Sequence, residues 1–232
     1  MGVYRTLTEA EFQDIESRIL LEDNHLLIFN KRTGEIVQGD KTGDEPLSET
    51  LKAFIAQRDD KPGQVFMGVP HRLDRPVSGV CVFAKTSKAL ERLNQMLREG
   101  ALHKTYWALV ADRPPKESDT LVDNLIRNEQ QNKSYVGKNG KEARLKYTLI
   151  QTTERYFLLE VELYTGRHHQ IRCQLSHMGC PIKGDLKYGA RRSNPDGGIS
   201  LMARRIQFIH PVKKTEVDVT APVPDSWKGI KG

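Results

Sequence analysis

Apolar residues along this chain fall into short blocks with two different periods. HLLIFNK (25–31), GVCVFAK (79–85), TYWALVA (105–111), RLKYTLIQ (144–151) and YFLLEVELYT (156–165) are rich in β-branched, aromatic or leucine residues over strand-like lengths, and each predicts a strand. In the last block Leu159, Val161 and Leu163 share one face while Glu160, Glu162 and Tyr164 share the other, the alternation of a half-buried strand. ARRIQFIHP and TEVDVTAP predict two more strands towards the C-terminus. Helical spacing occurs in three places. Ser48 is placed to cap a helix carrying Leu51, Phe54 and Ile55, and Ser87 to cap one carrying Leu90, Leu93, Met96 and Leu97, which Gly100 ends. Ile171, Leu175 and Met178, at i, i+4 and i+7, predict a short helix over about 168–178 that Gly179 and Pro181 stop. Strands outnumber helices without regular alternation, so the expected class is α+β: a mixed, mainly antiparallel sheet flanked by helices.

The 232 residues suffice for one large domain with a substantial core, and no repeat or long Pro/Gly/Ser-rich linker divides them. The expected organisation is an N-terminal extension over 1–24, one catalytic-size domain over 25–225 and a tail over 226–232. No apolar run reaches the ~18 residues that span a bilayer, so no membrane partner is expected. The start lacks the apolar core of a secretory signal; Gly2 and Thr6 match the loose myristoylation spacing but have no polybasic patch beside them, and an exposed start is the plainer reading. Three cysteines, Cys81, Cys173 and Cys180, are too few for a disulfide framework and point to a reducing cytoplasm. Cys173, His177 and Cys180 form C-x3-H-x2-C, a spacing unlike common zinc sites, and no metal or cofactor is expected. The net charge of +6 favours a polyanionic partner, because the basic residues gather in HRLDR, TGRHHQIR, LKYGARR and MARR and suggest one basic surface.

Two of those basic blocks hold the candidate chemistry. In HRLDRPVSGV (71–80) Asp74 stands between Arg72 and Arg75 just before a hydrophobic strand; guanidinium neighbours keep such a carboxylate ionised and oriented, although alone the segment also reads as an exposed basic turn. In TGRHHQIR (165–172) Arg167 and Arg172 lie five positions apart, about 140° around a helix, so one faces solvent while the other faces inward and needs an anion. Asp74 is the partner chosen for Arg172. His168 and His169 are either phosphate contacts or strand terminators.

HRLDRPVSG, KTYWA, TGRHHQIR, GCPIKGDLKYG and FIHP, in this order, resemble the RluA-like pseudouridine synthases over roughly His25 to Val223. The resemblance implies that Asp74 is the catalytic aspartate, Tyr106 the active-site tyrosine and Arg172 the arginine that pairs with the aspartate. It implies that Arg72 fills the space of an extruded nucleotide and that Arg167 meets RNA phosphate. Leu73 and Ile171 look like framework residues. Arg75, His168, Arg191 and Arg192 are further candidates for RNA contact, though a solvated basic loop also explains the last two. The implied activity isomerises uridine in rRNA or tRNA: N1–C1′ breaks, the uracil turns, and C5 joins C1′, with no water consumed and no redox change. One carboxylate suffices, whereas hydrolytic glycosidases need a second to activate water. Tyr106 suits stacking on the uracil and removal of the C5 proton. Two departures stand out: NKRTG has Arg32 where the family commonly has proline, and Met202 stands where histidine is common. No small S4-type RNA-binding domain is expected before the catalytic part, and a monomer without an obligate protein partner is the simplest assembly. The rival reading is a non-catalytic relative that binds or folds RNA.

Overall fold

The structure is a computed structural model and describes residues 3–39 and 43–231; Gly2, part of the myristoylation spacing, lies outside them. The chain divides into two compact units, one built from residues 1–102 and 206–221, the other from 103–205 and 222–232.

In the first unit a helix α1 (Glu9–Ser17) is followed by strands β1 (Ile19–Glu22) and β2 (Leu26–Lys31), helix α2 (Leu47–Arg58), strand β3 (Ser78–Ala84) and helix α3 (Ser87–Glu99). The strands pair antiparallel in the order β1-β2-β3, Leu26 opposite Ala84 and Lys31 opposite Gly79. Leu26 to Phe29 and Val80 to Ala84 are all buried, which is why these strands read as continuous apolar runs: both faces are covered. Leu51, Phe54 and Ile55 of α2 and Ala89 and Leu93 of α3 contribute to this core. Caps differ from the sequence expectation by one or two positions. Thr86, not Ser87, caps α3 by accepting from the Ala89 N–H, and Gly100 ends the helix in the left-handed region at φ 71°. Ser48 lies inside α2; the Leu47 and Ser48 N–H groups donate to the Ile36 and Val37 carbonyls, so backbone does the work expected of a side-chain cap. His210 of FIHP is buried, accepts from the Val212 and Lys213 N–H groups at Nδ1, and meets Asp23 Oδ2 at 3.0 Å through Nε2.

In the second unit strands β4 (His103–Val110), β5 (Ser118–Asn128), β6 (Lys133–Val136), β7 (Lys141–Thr152) and β8 (Phe157–Leu163) form the order β4-β8-β7-β5-β6, every described pairing antiparallel. Helix α4 (Gln170–His177) and a 3-10 turn (Leu186–Tyr188) follow. Leu125, Ala143, Cys173 and Tyr188 form a buried cluster that joins the sheet to α4 and this turn. Strand β9 (Leu201–Ile209) contributes to both units, and β10 (Glu216–Thr220) pairs with it. The α+β class agrees with the sequence reading. Helix α1 and strands β1, β5 and β6 are the elements the sequence reading did not predict.

Candidate active site

In the first unit the segment around Asp74 has no regular secondary structure, yet its backbone is held from Asp74 to Val77. The Val77 N–H donates to the Asp74 carbonyl (3.0 Å), the Gly34 N–H to the Arg75 carbonyl (2.9 Å), and Thr33 Oγ1 to the Pro76 carbonyl (2.8 Å). Leu73 and Val77 are buried on either side, and the Val82 N–H of β3 donates to His71 Nε2 at 3.1 Å. Beneath the loop lies Lys31, the last residue of β2, fully buried. Its ammonium donates to the carbonyls of Val77 (2.6 Å), Arg32 (3.0 Å), Arg75 (3.1 Å) and Asp74 (3.3 Å). Burial pulls its pKa down to about 8, against the raising influence of Glu35, Cys81 and Asp74. The sequence reading did not single out Lys31. Next to it, Arg32, at the position where the resemblance leads one to expect proline, donates its N–H to Glu35 Oε2 (2.7 Å), a bond proline cannot make, while its guanidinium pairs with Asp14. The turn is therefore held by side chains in place of a fixed ring. Arg72 is exposed, and Arg75 forms an exposed pair with Asp44 at 2.7 Å.

In the second unit Tyr106 is buried on β4, opposite Val161 of β8, which is itself opposite Tyr147 of β7, so the three side chains lie in one row on one face of the sheet. Arg167 and Arg172 diverge as expected, but not through helical spacing, since Arg167 precedes α4 and the left-handed His169 lies between them. Arg167 is exposed and donates through Nε to the Glu142 carbonyl (2.8 Å); Arg172 is buried in the first turn of α4. Its anionic partner within this unit is Asp185, which was not foreseen: Nε donates to Oδ2 (2.7 Å) and Nη2 to Oδ1 (2.9 Å), the parallel fork of a strong guanidinium–carboxylate pair. Arg172 Nη1 lies 3.1 Å from His169 Nε2, and its guanidinium carbon is 5.0 Å from the centre of the Tyr188 ring. His168 stacks on His169 at 3.8 Å, and its ring meets Ser134 Oγ (2.9 Å) and Asn132 Oδ1 (3.0 Å), so it is tied into the fold as well as placed beside Arg167. Arg191 and Arg192 are exposed on an irregular loop.

Burial pushes the Cys173 thiol up to about 11, and its Sγ donates to the Ser134 carbonyl at 3.3 Å. Among the described residues no group of three or more His, Cys, Asp or Glu side chains is arranged to hold a metal, which includes Cys173, His177 and Cys180. The residues that sequence reasoning missed are Lys31, Asp185 and Tyr188, while His169 was expected only as a phosphate contact or strand terminator. GDLKYG holds Asp185 and Tyr188, and only a search for the anion demanded by a buried arginine would have found Asp185.

Residues 25–177 match the family model described as RNA pseudouridylate synthase. The chain is 33% identical to ribosomal large subunit pseudouridine synthase C of Vibrio cholerae over 220 residues, 92% of this chain and 68% of that protein. It is 34% identical to ribosomal large subunit pseudouridine synthase D of Xylella fastidiosa over 237 residues, 94% and 69% of the two chains. The fold is similar to that of human RNA pseudouridylate synthase domain containing 4, with a TM-score of 0.78 and 21% identity over 93% of this chain and 92% of that one. The chain belongs to the RNA pseudouridylate synthase family, whose members isomerise uridine in RNA.

Proposed function

We propose that the chain isomerises uridines of ribosomal RNA, with Asp74 as the reacting carboxylate and Tyr106 and Arg172 as the groups that serve it. The observation that carries this reading is the loop at Asp74. A buried ammonium and three further hydrogen bonds fix the main chain from Asp74 to Val77, and a fourth holds the His71 ring before it, at the place where the family resemblance puts the reacting aspartate. An isomerisation needs a single oriented anion and no second carboxylate to activate water. Asp74 attacks the base or sugar, or takes a sugar proton, while the uracil stays bound. Tyr106 stacks on the uracil and its hydroxyl serves departure of the C5 proton. Extrusion of the base costs a few kcal/mol, which Arg72 offsets by filling the vacated stack, together with phosphate contacts from Arg75, Arg167, His168, Arg191 and Arg192. Ribosomal RNA is the substrate favoured by the names of the Vibrio cholerae and Xylella fastidiosa relatives, both of which refer to the large ribosomal subunit. The protein works as a monomer in the cytoplasm without a cofactor.

The test is tritium release from RNA labelled at uridine C5. Asp74→Ala and Asp74→Asn abolish release while keeping RNA affinity, and undiminished turnover in either variant would overturn the role of Asp74. Mapping pseudouridines in ribosomal and transfer RNA from cells with and without the gene decides the substrate: lost positions confined to tRNA would refute the ribosomal assignment.

A further inference from the structure

The surroundings of Arg172 contain more than a salt bridge. An arginine guanidinium has five N–H donors and no acceptor. Arg172 Nη1 therefore donates to His169 Nε2 at 3.1 Å, and this nitrogen must be bare. The ring proton of neutral His169 then sits on Nδ1, where it donates to the Tyr188 hydroxyl oxygen at 3.0 Å. That oxygen also accepts the Ser134 N–H at 2.8 Å, so a main-chain donor of β6 fixes the hydroxyl that fixes the histidine. A protonated His169 would set N–H against N–H at Arg172. Burial, and after it the Arg172 charge, push its pKa down to about 2, consistent with the tautomer that the contacts require. His169 also has φ 51°, ψ 28°, left-handed values that few non-glycine residues adopt, at the N-cap of α4 where its side chain makes no cap hydrogen bond. The backbone strain is thus offset by the ring's contacts with Arg172 and Tyr188 and gains nothing for the helix end. On the other side Asp185, with only 1% of its side chain exposed, takes the Nε edge of the guanidinium in a fork.

We infer that His169 and Asp185 are positioning residues of the reaction, which together allow the Arg172 guanidinium one orientation: Asp185 by the bidentate fork at Nε and Nη2, His169 by accepting from Nη1 as its Nδ1–H tautomer. The inference rests on the assignment of Arg172 to the reacting site. Three of the five donors are fixed within the second unit, which sets the directions of the other two, one on each Nη. Tyr188 acts behind them, covering the guanidinium face and holding the His169 tautomer.

Steady-state kinetics on the full chain with RNA substrate test this through His169→Gly, His169→Gln, Asp185→Asn and Tyr188→Phe, each first checked by thermal melting. His169→Gly accepts the left-handed backbone but removes the ring; His169→Gln restores an acceptor near Nε2. His169→Gly and Asp185→Asn should lower kcat by between about tenfold and about a hundredfold with KM within about twofold, the loss expected when a catalytic group moves by about 1 Å. His169→Gln should recover most of the loss, and Tyr188→Phe should show a smaller loss. Nitrogen-15 NMR of histidine-labelled protein should show His169 with a protonated Nδ1 and a bare Nε2. Wild-type kcat in His169→Gly, equal defects in His169→Gln and His169→Gly, or a protonated Nε2 each overturns the inference. If Asp185→Asn does not fold, the His169 variants and the NMR signal still decide. Arg172→Ala separates the two levels: wild-type kcat there refutes the assignment of Arg172 itself, whereas a loss there with normal His169 variants refutes only the positioning role.

Discussion

Replacing Lys31 by methionine should loosen the loop that carries Asp74 while leaving the carboxylate in place. Methionine nearly matches the length and apolar stem of lysine, so the cavity left is small, and the change removes mainly the ammonium and its four carbonyl contacts. Two terms oppose each other. Losing a fully buried charge relieves a desolvation cost of several kcal/mol. Against it, each bond from a charged donor contributes roughly 1.5–3 kcal/mol, and a buried carbonyl left without a donor costs roughly 1–3 kcal/mol. The Asp74 and Arg75 carbonyls keep the Val77 and Gly34 N–H donors, and the carbonyl of exposed Arg32 can turn to water; the Val77 carbonyl, in a buried contact at 2.6 Å, cannot do so without moving the loop. The expected net loss is about 2–4 kcal/mol, read as a lower urea midpoint with unchanged slope. At a temperature where the variant remains folded, kcat should fall at least about tenfold, because the main chain at Asp74 and Arg75 loses its anchor. A variant with wild-type midpoint and wild-type kcat would refute the reasoning, and a lowered midpoint with unchanged kcat would show that the clamp stabilises the fold without orienting Asp74.

His169 should make stability depend on pH: the unfolded residue binds a proton below about pH 6.5 and the folded one only near 2, so its contribution is complete above 6.5 and drains as pH falls. Between pH 7 and 5 the loss is about 2 kcal/mol, and urea midpoints of His169→Gln should show a correspondingly shallower slope than wild type; parallel slopes would refute it. Thr86→Ala removes the oxygen that caps α3 and should cost about 1 kcal/mol in urea unfolding, whereas Ser87→Ala should cost little. Gly140→Ala would bring a Cβ to 2.6 Å from the backbone of Leu125 in β5, and thermal melting should register a loss of about 1–3 kcal/mol.

The elements that the sequence showed plainly are those whose burial matches one simple period. β2 and β3 are covered on both faces and read as apolar runs, and β8 alternates from Leu159 to Glu162, with Leu158 buried as well. β5 was missed for a physical reason: Leu121, Val122, Leu125 and Ile126 stand at i, i+1, i+4 and i+5, a spacing closer to a helix, and Val122 and Ile126 point outward where a half-buried strand normally places polar residues. β6 has four residues and a single buried one, Ser134. Helix α1 buries only Ile15, which left no stripe to see, although its Thr8–Glu11 capping box was visible in the letters TEAE.

The clamp at Asp74 and the clamp at Arg172 were hidden for different reasons. Lys31 acts on main-chain oxygens, which every residue has, so no complementary side chain in HRLDRP advertises the contact across 43 or more positions. Only the oddity of a lysine at the inner end of an apolar strand hinted that its charge was engaged. Asp185 was hidden by choice of partner. The burial of Arg172 requires an anion, but requirement and identity are separate questions, and Asp185, 13 positions on, meets it within the same unit. A guanidinium can hold one carboxylate through Nε and Nη2 while keeping donors for another acceptor, so the fork with Asp185 does not compete with the proposed role of Arg172. A long charged side chain left unsupported would sample many rotamers, at up to about 2 kcal/mol of entropy, and each turnover would have to restrict it again. A buried fork on one side and a neutral histidine on another meet that cost when the protein folds, so that the guanidinium is ordered before any substrate arrives.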